Sequence, residues 1–129
     1  MAQYKTIKNF GLEKDEPTNI LEIENLEHRK SIIKDFKVVI IDYYTTWCGP
    51  CKKIKHLYSD LYGKHYEDKY PFVIFVKEDI GKKFGDYIIT PTGVPCFHFY
   101  INGEFQKDLS VVGGDLEKVK QNIDSILFD

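Results

Sequence analysis

Apolar and polar positions alternate along the chain in two distinct rhythms. Residues 38–41 (VVII) and 72–76 (FVIFV) are continuous apolar runs bounded by charge. Short β-branched runs of this kind predict strands buried on both faces. Residues 96–101 (CFHFYI) predict a further strand rich in aromatics, and residues 19–24, with Ile20, Leu21 and Ile23 set among acidic side chains, predict a short first one.

Between these runs the period lengthens. Leu26, Ile32, Ile33 and Phe36 recur at near-helical spacing, which predicts a helix over 26–36. Ile54, Leu57, Tyr58, Leu61 and Tyr62 share one face of a second helix running to about Lys69, while Lys52, Lys53, Lys55 and Asp60 fall mostly elsewhere. Pro50 marks its start, because the missing proline N–H has no partner in a first turn anyway. Residues 80–87 predict a short helix, weakened by Gly81 and Gly85, and residues 90–95 a turn-rich loop. Asn102-Gly103 suits a type I′ turn and predicts a hairpin with 105–112 as the partner strand. Gly113 and Gly114 break that strand. Asp115 then caps a closing helix whose stripe is Leu116, Val119, Ile123 and Ile126 or Leu127. The order β-α-β-α-β-α-β-β-α predicts an α/β fold, a central mixed sheet with helices on both faces.

A length of 129 residues suits one domain. Residues 1–18 are polar and mixed and are assigned as an N-terminal extension; 19–129 form the domain. Lys plus Arg number 18 and Asp plus Glu 20, a net charge of −2, which argues against nucleic acid as the main partner. No apolar run approaches the roughly 18 residues of a membrane span, and the N-terminus has no apolar core of a secretory signal. Three cysteines are too few and too odd in number for a disulfide scaffold. The expectation is a reduced, cytoplasmic, monomeric protein away from membranes.

The chemistry concentrates at Trp47-Cys48-Gly49-Pro50-Cys51, between an apolar strand and an amphipathic helix. A bare CxxC is also half of a zinc site. Cys96 is isolated, His56 follows Cys51 too closely for finger spacing, and His65 and His98 lack paired neighbours. A purely structural pair is the other alternative. The strand–helix context favours a redox pair. At a helix start, Cys48 lies near unpaired N–H groups and the positive end of the dipole, which favour thiolate. A thiol with pKa about 8.5 is roughly 3% ionised at pH 7, and one near 7 is about half ionised, roughly fifteenfold more. Nucleophilicity falls with pKa and removes about fivefold of that gain. The larger advantage comes from Cys51, one turn away, which attacks a mixed disulfide intramolecularly at high effective concentration.

The segment WCGPCK at 47–52 resembles the active-site signature of the thioredoxin family, and the resemblance extends over about 19–128. It implies a thioredoxin fold and a protein-disulfide reductase in which Cys48 attacks and Cys51 resolves. It implies that Asp42, five residues before Trp47, is a buried acid that trades a proton with Cys51, where the residue alone reads as a strand-end cap. Lys77 resembles a lysine near that acid, or is a solvated surface lysine. Val94-Pro95 resembles the family's cis-proline, with Val94 presenting its backbone to an extended client segment. Gly93 then permits close approach, Gly113 matches a glycine near the same surface, and Trp47, Gly49, Pro50 and Ile80 complete the docking patch. The resemblance implies no metal and no bound cofactor. Its partners are disulfide-containing client proteins and a thioredoxin reductase or other dithiol donor. Two features depart from the pattern: Tyr44 stands where a second tryptophan is common, and Cys96 where threonine is common. Cys96 reads as a small buried hydrophobe or as a third thiol modulating redox poise. The rivals are an oxidase or isomerase on the same fold, and a binding subunit whose thiols are incidental.

Overall fold

The computed structural model describes residues 19–128. The expected extension over 1–18 lies outside the described residues. In chain order the elements are β1 (Leu21–Glu22), α1 (Leu26–Asp35), β2 (Val38–Tyr44), α2 (Gly49–His65), β3 (Val73–Asp79), β4 (Cys96–Ile101), β5 (Glu104–Phe105), β6 (Val111–Val112) and α3 (Leu116–Phe128). The sheet order is β1-β3-β2-β4-β5, with β6 also on β4. β1 and β2 run parallel to β3, whereas β4 runs antiparallel to β2, β5 and β6, so the sheet is mixed.

Strand parity sorts the core into two layers. Val38, Ile40, Val73, Phe75, Phe97 and Phe99 face α2 and α3, where they meet Ile54, Tyr58, Val119 and Ile123. Val39, Ile41, Tyr43, Ile74 and Val76 face the other way, onto Ile32 of α1. Helices therefore cover both faces, and β2 and β3 are buried almost throughout, which is why their sequences read as continuous apolar runs.

Local signals act as expected at two ends, and a third end is capped by a residue the sequence reading did not name. Asn102 and Gly103 both have positive φ, 52° and 83°, as a type I′ turn requires. The Asp115 carboxylate accepts from the Lys118 N–H at 3.0 Å. Asn25, not singled out in the sequence, caps α1 by accepting from the His28 N–H at 2.8 Å.

Four expectations are corrected. The helix over 80–87 reduces to a single 3₁₀ turn, Ile80–Lys82, because Lys83, Gly85 and Asp86 all take positive φ. The strand over 105–112 is broken. Phe105 pairs with Tyr100 and Val111 with Phe97, so five residues oppose two. The surplus is taken up by a 3₁₀ turn at Lys107–Leu109. α2 stops at His65 rather than near Lys69. β3 is shifted: Phe72 is exposed, and the strand continues through Lys77, Glu78 and Asp79, all buried.

Candidate active site

β2 ends at Tyr44, and the turn after it delivers Cys48 to the tip of α2. Cys48 is the helix N-cap, and its sulfur accepts from the Cys51 N–H at 3.0 Å. Pro50 lies in the first turn, where its lack of an N–H costs nothing. The two cysteines are joined in a disulfide, with Cα atoms 5.2 Å apart. Most of the pair is covered, yet neither residue is sealed: Cys48 keeps 8% of its surface and Cys51 7%. The helix dipole and the exposed first-turn N–H groups favour negative charge on Cys48 when the bond is reduced.

Around Cys48 the structure gathers residues from four separate segments. Its sulfur lies 3.7 Å from the Val94 carbonyl oxygen. The Val94–Pro95 peptide is cis, and the Pro95 carbonyl accepts from the Gly113 N–H at 2.7 Å. Gly113 has φ of 101°, a backbone state that disfavours other residues. Gly93 faces Val112 at ordinary contact distance, and Gly49 has open space where a Cβ would stand. Trp47 is 73% exposed and its ring lies over Gly81, where a Cβ would come within 3.3 Å of the indole. Ile80 is half-buried beside it, packed on the α1-side core.

Behind the disulfide, Asp42 is buried on β2. Burial pushes its carboxyl up to about 7, with Lys77 pulling down and Glu22 adding to the rise. Its Oδ1 has no hydrogen-bond partner among the described residues. A cavity of about 50 Å³ lies between them, lined by Asp42, Cys51, Tyr44, Tyr58 and Lys77 among others, which is room enough for a water. A larger groove of about 410 Å³ lies beside α1 and includes none of these residues, so size does not mark the site.

Lys77 is not a solvated surface lysine. It is buried inside β3, with its ammonium 3.7 Å from Glu22 and 5.7 Å from the centre of the Tyr44 ring. Cys96 is 1% exposed and free, its thiol raised to about 11 by burial. Sequence reasoning missed Glu22, Gly81 and Gly114. Glu22 shares the parity of Ile20, which lines the same cavity, and that pattern is the signal. A Cβ on Gly114 would come within 3.1 Å of Ile54, a contact made across the fold that leaves no local trace. Among the described residues, no group of three or more His, Cys, Asp or Glu is placed to hold a metal ion.

A two-cysteine disulfide at the N-terminus of a helix, backed by a buried acid and set on a mixed sheet, defines a thiol–disulfide oxidoreductase. The thioredoxin family model matches residues 19–125. The chain is 34% identical over 94 residues to thioredoxin from Gallus gallus, covering 70% of this chain and 81% of that one. It is 32% identical over 109 residues to thioredoxin from Ictalurus punctatus, covering 81% and 95%. Among solved structures, Malassezia sympodialis thioredoxin superposes with a TM-score of 0.68 at 29% identity, covering 83% of this chain and 92% of that one. Schistosoma mansoni thioredoxin superposes at 0.66 and 30%, covering 85% and 97%. The chain belongs to the thioredoxin family: it is a thioredoxin-type protein-disulfide reductase with a CxxC dithiol. The family implies disulfide-containing clients and a reductase. No helix among the described residues is long and apolar enough to cross a membrane.

Proposed function

We propose that Cys48 is the attacking thiol and Cys51 the resolving one. The Cys48 thiolate attacks a client disulfide; one client sulfur leaves as thiolate and a mixed disulfide forms. The Cys51 proton passes to the Asp42 carboxylate through a water, and the Cys51 thiolate attacks Cys48 Sγ. The Cys48–Cys51 bond closes, and the second client sulfur leaves. Two electrons have moved from the protein dithiol to the client. A thioredoxin reductase or other dithiol donor returns them. The observation that carries this reading is the bond already made between Cys48 and Cys51 across the first turn of α2.

Lys77 modulates the proton on Asp42. Trp47, Gly49, Pro50, Ile80, Gly93, Val94, Pro95 and Gly113 form the docking surface, supported by the Val94 carbonyl beside Cys48 and the exposure of Trp47. The protein works as a cytoplasmic monomer on proteins rather than nucleic acid, with residues 1–18 as an extension outside the domain. Trapping tests the assignment: Cys51→Ser accumulates covalent client adducts under oxidising challenge, and Cys48→Ser accumulates none. Adducts on Cys48→Ser at the yield of Cys51→Ser overturn it.

A further inference from the structure

Three strands place three charges in one row. Glu22 of β1 is the register partner of Lys77 on β3, and Lys77 is the register partner of Asp42 on β2. Partners in parallel strands project to the same side, here the face covered by α2. Tyr44, two residues beyond Asp42, also projects to that side. Its O–H lies 2.7 and 2.9 Å from the two Glu22 oxygens. Lys77 makes an ion pair with Glu22, at 3.7 Å, while Asp42 Oδ1 has no hydrogen-bond partner among the described residues.

We propose that Glu22, held by the Tyr44 hydroxyl, is a positioning residue for proton transfer at Asp42, fixing the Lys77 ammonium between two carboxylates. This rests on the reading of Asp42 as the proton acceptor for Cys51. With Glu22 absent, the ammonium would lose this carboxylate and act more strongly on Asp42, favouring its ionised form. With Glu22 present, the cation is shared, and a second negative charge faces Asp42. The Asp42 carboxylate then binds a proton more tightly and can hold the one that Cys51 gives up. Burial of Glu22 raises its own carboxyl, and the Tyr44 O–H then Lys77 oppose that rise, so both neighbours favour the charged form that the proposal needs. The remaining groups around the row are Cys51, Lys52, Lys55 and Tyr58 on α2, which line the cavity, and Cys96 on β4. Asp79 at the end of β3 and Lys82 in the neighbouring 3₁₀ turn also bear on Glu22.

The test is a carbon-detected titration of the Asp42 carboxyl in the oxidised full-length protein, its resonance assigned by Asp42→Asn. Two strand spacings separate Glu22 from Asp42, so Glu22→Gln lowers the midpoint by about one pH unit. Tyr44→Phe, which unfastens Glu22, lowers it by less. A kinetic arm follows the pH profile of Cys51 attack on a preformed mixed disulfide, where Glu22→Gln moves the midpoint the same way. A midpoint unmoved by both variants, each folded by thermal melt, overturns the role of Glu22. If Asp42→Asn leaves the kinetic profile as in wild type, the underlying Asp42 reading falls, and the proposal with it.

Discussion

The Arg29 guanidinium grips the Glu78 carboxylate with two hydrogen bonds, 2.8 Å from Nε and 3.0 Å from Nη2, where neither side chain meets solvent appreciably. Strand parity explains the encounter. Glu78 follows Lys77 and so faces α1 rather than α2, and Arg29 is a buried position of α1. The Tyr87 hydroxyl donates to the same carboxylate at 2.8 Å, Arg29 stacks 4.4 Å over the Tyr87 ring, and Nη1 donates to the Asp86 carbonyl at 3.3 Å. The irregular segment after the 3₁₀ turn at Lys82 is thereby tied to α1.

Arg29→Met leaves the Glu78 charge buried and short of its partner. It should lower stability by about 3–5 kcal/mol. Adding Glu78→Leu should recover most of that loss, since apolar replacements of a buried pair are often near neutral. Urea unfolding of the two single variants and the double variant reads the coupling. Additive losses would mean that the pair does not act as a unit.

Asp42 carries a stability cost that depends on pH. Its folded pKa, about 7, lies above the ordinary carboxyl value. The neutral form is the one the fold favours, so its contribution is complete below about pH 4 and is lost as pH rises to about 7. Asp42→Asn should therefore gain on wild type across that window, on the order of 4 kcal/mol by pH 8. Denaturation midpoints of both proteins at pH 4, 6 and 8, on the oxidised form, measure it. A constant difference would contradict a raised Asp42.

His98 works in the opposite direction. It is buried between the rings of Tyr43 and Phe105, and burial, then the charge of Arg29, lowers its pKa to about 4. The fold favours the neutral ring. That contribution is complete above about pH 6.5 and is lost as pH falls to about 4, on the order of 2–3 kcal/mol. His98→Phe should flatten this acid limb in urea melts between pH 7 and 4. An unchanged limb would assign the acid loss elsewhere.

Cys96 should be inert in the native protein. At pH 8 a thiol with a pKa of about 11 has roughly 200-fold less thiolate than an ordinary one, before its burial is counted. Iodoacetamide on the reduced protein should modify Cys48 first and reach Cys96 only in denaturant, as peptide mass mapping would show. Labelling of Cys96 at a comparable rate would mean that the strand opens readily and that its thiol is available to the redox chemistry.

Much of the fold is set by neighbours along the chain. The alternation over 19–24, the VVII run, the amphipathic period after Pro50, the Asn102-Gly103 turn and the Asp115 cap each reflect contacts within a few residues, and each appears in the structure. The CxxC at a helix start belongs to the same class, because capping and dipole effects act within one turn. The misjudged segments fail for a related reason: the three positive-φ residues after the 3₁₀ turn and the surplus between β5 and β6 follow from docking onto other elements.

What the sequence by itself determined is therefore the main elements outside 80–87 and 105–112, the CxxC dithiol of Cys48 and Cys51 at a helix start, and the side of each strand on which a residue projects. Only the tertiary structure decided which strands lie side by side. That choice puts Glu22, Lys77 and Asp42 in one row behind the disulfide and sets Arg29 against Glu78 on the opposite face. Strand order and register are fixed by the summed burial of two core layers, a property that no window of adjacent residues contains.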